Sequence, residues 1–195
     1  MSHVVFMDQD GTLIETVPFN ADPAQLRLVP DARRAIMRFV REGFSIAIVT
    51  NQPGIARGMF PESAMSAIRE RIIELFAPMG AELVGFYYCP HHPAGSITEF
   101  GIECECRTPN AGLILRAAQE LGIDPRQSWM VGDTLDDVEA GNRAGCRTIL
   151  LDNGHETAWR MDGERWPTVV VDDLDRAAAV IAGAEESAKA EHTKP

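Results

Sequence analysis

Asp8 and Asp10 follow a short apolar run and precede Gly11. A run this short, ended by acidic residues and a glycine, predicts a buried parallel strand that ends in a tight turn. Both carboxylates would lie at the carboxyl end of that strand, where open α/β sheets bind ligands. Because adjacent carboxylates repel each other, the pair favours a divalent cation such as Mg²⁺. One could then attack a phosphoryl group while the other transfers protons, with a plain surface turn as the alternative.

Two further predicted strands also end in polar side chains. Thr50 and Asn51 follow the apolar run Phe44–Val49, and Gly132-Asp133 follows Ser128–Val131, with Asp136 and Asp137 close behind. Acidic residues at a helix start usually cap the helix, so each signal alone is weak. If the three strands are parallel, however, these ends converge on one edge of the sheet and form a cation site beside a hydroxyl and an amide.

Three of the four cysteines lie within a loop of about twenty residues, 89–109, which also contains histidine, proline and glycine. Such a loop is uncommon in a compact domain unless it is cross-linked or functional. Three thiolates and one imidazole form a structural zinc set, and they come from Cys89, His91, Cys104 and Cys106. The alternative is incidental cysteines beside a phosphate-binding histidine pair. We expect His92 to be surplus to the four ligands and Cys146 to be a buried side chain.

Strand and helix patterns alternate along the chain, which predicts right-handed βαβ units and an α/β fold with a doubly wound, mostly parallel, Rossmann-like sheet. We expect one phosphatase domain over residues 1–182, carrying the zinc loop 89–109, and a disordered tail over 183–195. The predicted helices are 30–43, 62–78, 111–121, 136–144 and 174–181, and the predicted strands after the first are 44–49, 83–88, 128–131, 147–151 and 168–171.

Composition limits the possible partners. The chain has 195 residues and a net charge of −11, which argues against a nucleic-acid or anionic-membrane surface. No apolar run approaches the roughly 20 residues of a membrane span, and no hydrophobic signal segment precedes the first strand. We therefore expect a cytoplasmic monomer that acts on a small molecule.

The motifs resemble those of the haloacid dehalogenase superfamily of phosphotransferases. The matching segments are Asp8-Gln9-Asp10-Gly11-Thr12, Thr50, and Gly132-Asp133-Thr134-Leu135-Asp136-Asp137. This resemblance implies that Asp8 forms an aspartyl-phosphate and that Asp10 acts as general acid and base. It also implies that Mg²⁺ is held by Asp8, by the main-chain carbonyl of Asp10 and by Asp133, with Asp137 in the outer shell. Phosphoryl transfer depends mostly on positioning and charge neutralisation, which agrees with such a site.

The zinc loop resembles that of a narrower group, the capless D-glycero-D-manno-heptose-1,7-bisphosphate 7-phosphatases. The similar segments are Tyr88–Pro93, Gly95–Ile97, Glu99-Phe100, Cys104–Arg107, and Thr50–Gln52 with Gly54–Gly58. The resemblance implies a sugar bisphosphate substrate that contacts Thr50, Asn51, Gln52, Arg107 and Thr108. Two alternatives remain: a phosphatase of histidinol phosphate or another small phosphomonoester, and a weak or inactive protein that binds a phosphorylated ligand.

The chain departs from the family pattern at three positions where a cation is usual. Gln9 lies between the two acids, Thr108 follows Arg107 in place of a lysine, and Thr134 follows Asp133. Loss of one charged stabiliser can cost roughly 10²–10³ in rate. Arg107 is a candidate to compensate, as is Arg57 if its loop folds inward. The segment 153–156 could close over the site, although we expect a plain turn with a surface histidine.

Overall fold

The computed structural model describes residues 3–192, and the side chains of residues 3–184. Six strands form one sheet in the order β3-β2-β1-β4-β5-β6, and all of its pairings are parallel. The strands are β1 (Val4–Met7), β2 (Ser45–Asn51), β3 (Leu83–Cys89), β4 (Trp129–Gly132), β5 (Arg147–Leu151) and β6 (Val169–Val171). The helices are α1 (Ala32–Arg41), α2 (Pro53–Ala56), α3 (Ala64–Phe76), α4 (Gly112–Leu121), α5 (Leu135–Ala144) and α6 (Leu174–His192).

Successive side chains of the central strands enter two different hydrophobic cores. Val5 and Met7 of β1 pack with α1, α3 and α6, whereas Val4 and Phe6 pack with α4 and α5. Because both faces of the sheet are covered, these strands consist of continuous apolar residues rather than alternating apolar and polar ones. The predicted doubly wound α/β fold is confirmed.

The register of the sheet brings three chain segments to one edge. Met7 pairs with Ile48 on β2 and with Val131 on β4. Asp8 therefore lies one residue beyond these pairs, and Thr50 and Asp133 lie two residues beyond them. The sheet thus positions the polar strand ends that the sequence identified at a common carboxyl edge.

Most elements begin and end within two residues of prediction, and the larger differences concern two helices. The four-residue α2 was not predicted, and α6 continues to His192 instead of ending at Ile181. Residues 193–195 of the predicted tail lie outside the described residues, and the proposed division at residue 182 stays a prediction. Within residues 3–192, no helix has both the length and the apolarity needed to cross a bilayer.

Candidate active site

Asp8 and Asp10 emerge from β1 at the centre of the sheet. The main-chain N–H of Asp8 donates to the carbonyl of Val131 on β4 at 3.0 Å, which extends the strand pairing by one residue. The carboxylate of Asp10 accepts two amide hydrogen bonds, from Gln9 Nε2 and from Gln52 Nε2, each at 3.2 Å. Neutral amides therefore hold both oxygens of Asp10 in place.

A second group of carboxylates faces Asp8 from β4 and α5. One carboxylate oxygen from each of Asp8, Asp133 and Asp137 lies within 4.8 Å of the other two. The carboxylate of Asp137 also accepts from the main-chain N–H and the hydroxyl of Thr134, at 3.2 and 2.7 Å, and thereby caps the start of α5. The structure thus brings Asp137, expected in an outer shell, into the same group as Asp8 and Asp133.

This crowding of negative groups is electrostatically unfavourable. Burial raises the pKa of Asp8 well above its ordinary range, and the charges of Asp137, Asp133 and Asp10 raise it further. Burial and the charge of Asp133 raise the pKa of Asp137 to about 7. A hard divalent cation would neutralise these carboxylates, and oxygen donors of this kind are those that Mg²⁺ prefers. The residues present therefore fit such an ion.

The end of β2 forms the opposite wall of the site. Asn51 Nδ2 donates to Thr108 Oγ1 at 2.6 Å, and the main-chain N–H of Thr108 donates to Asn51 Oδ1 at 3.3 Å. This pair of hydrogen bonds fastens the end of the cysteine-containing loop to the sheet. Gln52 also donates to Thr50 Oγ1 at 3.3 Å, so the hydroxyl of Thr50 is held beside Asp10.

A cavity of about 550 Å³ opens between these walls. Of the sequence-predicted site residues, it is lined by Asp8, Asp10, Thr50, Asn51, Arg107, Thr108, Asp133 and Asp137. Gln52 lines an adjoining cavity of about 250 Å³ that also touches Asp10. The structure therefore brings together all of the predicted catalytic, substrate-binding and Mg²⁺-site residues.

Positive charge near this cavity is sparse. Arg107 lines it, and its Nη1 reaches the carbonyl of His91 at 3.5 Å. Arg57 is exposed, and its guanidinium lies 5.2 Å from the ring centroid of Phe19, beside the adjoining cavity rather than in the main one. Gln9 is buried beside Asp10 and carries no charge. Among the described residues, the cavity next to Asp8 is thus lined by one arginine, Arg107, and by neutral donors such as Thr50 and Asn51.

The predicted zinc ligands converge next to this site. Cys89 Sγ lies 3.5 Å from Cys104 Sγ and 3.1 Å from Cys106 Sγ, and His91 Nδ1 lies 3.2 Å from Cys106 Sγ. A tetrahedral zinc ion, about 2.3 Å from each sulfur, holds its sulfurs roughly 3.8 Å apart, close to this arrangement. All four cysteines of the chain are free thiols, and hydrogen bonding from Cys89 lowers the pKa of Cys106 to about 5. The donor set therefore fits a zinc ion.

Sequence reasoning undervalued one participant, the segment 153–156, which it described as a candidate to close over the site. The expected turn with a surface histidine is present, since His155 is exposed and Asn153-Gly154 form a bend. The segment nevertheless reaches the site, as the alternative held, because the imidazole of His155 lies 2.6 Å from Asp133 Oδ2. Asn153 and Glu156 are also bonded to the rim of the site, to Gly11 and Leu135 respectively. The position of the segment directly after β5, at the carboxyl edge of the sheet, was the available signal.

Comparison with known proteins agrees with this geometry. Residues 105–177 match the HAD-hydrolase-like family model. The chain is 39% identical over 147 residues to the D-glycero-β-D-manno-heptose-1,7-bisphosphate 7-phosphatase of Yersinia pestis. This alignment covers 75% of this chain and 78% of that protein. It is 34% identical over 184 residues to the enzyme of the same name from Pasteurella multocida, covering 94% and 98% of the two chains.

A solved structure of a heptose-bisphosphate phosphatase is also similar to this chain. The D,D-heptose 1,7-bisphosphate phosphatase of B. bronchiseptica, crystallised with magnesium and phosphate, superposes with a TM-score of 0.75 at 25% identity and covers 93% of this chain and 99% of its own. Fold, site geometry and sequence similarity over nearly the whole chain lead to one conclusion. This chain belongs to the heptose-bisphosphate phosphatase family of the haloacid dehalogenase superfamily and is a phosphoric monoester hydrolase.

Proposed function

We propose that the enzyme removes the 7-phosphate of D-glycero-β-D-manno-heptose 1,7-bisphosphate in a Mg²⁺-dependent reaction. The observation that carries this proposal is the convergence of Asp8, Asp133 and Asp137 with Thr50 and Arg107 around one cavity. The curated relatives named for this reaction, which share 34–39% of their residues with the chain, support the choice of substrate.

In the first step, the carboxylate of Asp8 attacks phosphorus, and the bond from phosphorus to the ester oxygen breaks. Asp10, protonated and held by Gln9 and Gln52, gives its proton to the departing oxygen. Because burial raises the pKa of Asp10 above its ordinary value, the group retains a proton more readily than an exposed aspartate. An aspartyl-phosphate remains on Asp8.

In the second step, Asp10 takes a proton from water, the water oxygen attacks phosphorus, and the bond to Asp8 breaks to release phosphate. Thr50 and Asn51 line the cavity and donate hydrogen bonds to the phosphoryl oxygens, and Arg107 supplies a positive charge. A Mg²⁺ ion held by Asp8, the Asp10 carbonyl and Asp133, with Asp137 in support, would neutralise phosphoryl charge and favour ionised Asp8.

We also propose that zinc bound by Cys89, His91, Cys104 and Cys106 has a structural role. Four protein donors complete a tetrahedral set and leave no position for substrate. The ion would fix the loop that delivers Arg107 and Thr108 to the cavity. We further propose a cytoplasmic location, where such thiols stay reduced. The monomeric state stays a prediction that light scattering can check.

The test is Mg²⁺-dependent phosphate release from heptose 1,7-bisphosphate, histidinol phosphate and an aryl phosphate. We expect selective hydrolysis of the heptose substrate, with ³¹P NMR showing loss of the 7-phosphate signal and retention of the 1-phosphate. Asp8→Asn should abolish release, whereas Asp162→Asn, at an exposed position outside the site, should not. Selective hydrolysis of histidinol phosphate would refute the substrate. Inactivity toward all three by folded, metal-loaded protein would favour a ligand-binding role.

A further inference from the structure

The segment Asn153–Glu156, here called the clasp, is tied to the active site at three points. Asn153 Nδ2 donates to the carbonyl of Gly11 at 2.8 Å. His155 Nδ1 lies 2.6 Å from Asp133 Oδ2. The carboxylate of Glu156 accepts from the main-chain N–H of Leu135, the first residue of α5, at 2.7 Å. The clasp thus joins the turn after β1 to the end of β4 and the start of α5.

The turn after β1 leaves room for this arrangement. A Cβ atom on Gly11 would lie 2.1 Å from Asp133 Oδ2 and 2.6 Å from His155 Nδ1. Gly11 also has a φ of +91°, which other residues rarely adopt. The hydrogen-bonded pair of His155 and Asp133 therefore occupies the space that any larger residue at position 11 would need.

Other donors to Asp133 are weak within the described part of the chain. The hydroxyl of Thr12 lies 3.4 Å from Asp133 Oδ1, at the limit of a hydrogen bond. Thr134, the next residue, uses its hydroxyl on Asp137 at 2.7 Å and carries no charge. Among the described residues, the imidazole is thus the one side-chain hydrogen-bond partner that lies within 3 Å of this buried carboxylate.

We infer that His155 is a positioning residue that orients the carboxylate of Asp133 toward the divalent cation. With a ring proton on Nδ1, the imidazole donates to Oδ2 and fixes the rotation of the carboxylate, whose remaining lone pairs stay available to the ion. Partners that orient a metal-binding side chain in this way typically change metal affinity or activity 10–100-fold when they are removed. The inference rests on the proposed Mg²⁺ site and adds a residue to it.

The experiment is a calorimetric titration of the full chain with Mg²⁺, without substrate. His155→Ala should weaken the affinity for Mg²⁺ by about 10–100-fold. His155→Asn should remain close to the wild type, since its amide N–H occupies nearly the same place as Nδ1–H. His155→Gln carries the same amide one carbon further out and should resemble His155→Ala. Arg160→Ala, in the same connection and 80% exposed, is the control for changes in this segment.

A second measurement separates positioning from folding. In aryl phosphate hydrolysis, His155→Ala should need more Mg²⁺ for half-maximal activation, and saturating Mg²⁺ should restore most of kcat. If His155→Ala does not fold, the test is the comparison of Mg²⁺ affinity between His155→Asn and His155→Gln. Equal Mg²⁺ affinities in these two variants would overturn the inference.

Three other outcomes have distinct meanings. Wild-type affinity in folded His155→Ala overturns the role of His155 alone. Affinity in His155→Asn as weak as that of His155→Ala shows that the hydrogen bond does not act as inferred. Absence of Mg²⁺ binding by the wild-type chain overturns this inference together with the proposed function.

Discussion

Replacement of Asp137 by asparagine should stabilise the metal-free protein at high pH while weakening the cation site. Burial and the charge of Asp133 raise the pKa of Asp137 from its ordinary 3.8 to about 7. Because the folded chain holds this proton over a pH range in which the unfolded chain has lost it, folding stability falls as pH rises from about 4 to about 7. At 1.36 kcal/mol for each pH unit, the cost between pH 5 and pH 8 is about 3 kcal/mol.

Asparagine does not ionise, so Asp137→Asn removes this cost. Its amide oxygen can still accept from the main-chain N–H of Thr134, which preserves the cap of α5. Relative to the wild type, the free energy of unfolding of the variant should therefore rise by about 3 kcal/mol between pH 5 and pH 8. For a chain of this size, each kcal/mol corresponds to roughly 2–4 °C in Tm.

The assay is thermal unfolding, followed by circular dichroism, of Mg²⁺-free wild type and Asp137→Asn at pH 5 and pH 8. Added Mg²⁺ should stabilise the wild type more than the variant at pH 8, since a ligand stabilises the state that binds it. The reasoning is refuted if the difference in Tm between the two proteins is the same at both pH values. It is also refuted if the Mg²⁺-free wild type becomes more stable between pH 5 and pH 7.

Two further predictions concern the loop 89–109, which carries the proposed zinc ligands, and Thr108, which stands where the family usually has a lysine. Metal analysis should find about one zinc per chain, and this zinc should be lost in Cys104→Ser and kept in Cys146→Ala. Loss of zinc should lower kcat as well as raise KM, because Arg107 and Thr108, which face the phosphoryl group, come from the loop. A zinc content near zero in the wild type would rule out the ligand assignment. Thr108→Lys should raise kcat for an aryl phosphate by up to roughly 10²-fold, and Thr98→Lys on the exposed loop surface should not. Unchanged turnover in Thr108→Lys would mean that Arg107 already provides the charge.

Much of the site could be predicted because it depends on short-range patterns. Asp8 and Asp133 each follow an apolar strand, and parallel pairing then requires their proximity. The side chains of the proposed zinc site were recognisable because few other roles explain three cysteines and a histidine in one loop. In both cases, residue type and position in the chain were sufficient.

The position of the clasp near the site could be suspected from the sequence, but its contacts could not be predicted, because they connect distant residues through irregular backbone. His155 lies 22 residues after Asp133, and Asn153 lies 142 residues after Gly11. No periodicity marks such contacts, and a turn containing asparagine and glycine usually indicates only a loop. Likewise, the bond between Asn51 and Thr108 depends on how a long loop returns to the sheet.

The neutral side chains around the phosphoryl space also bear on how the product leaves. Inorganic phosphate is bound by the same groups as the phosphoryl group of the substrate, and an arginine or lysine at each position would retain this dianion. With Thr108 and Thr134 lining the cavity in place of cations, we expect the proposed site to hold free phosphate less tightly. Such an enzyme would stabilise its transition state less strongly. It would also be inhibited less by phosphate, its own product, in a phosphate-rich medium.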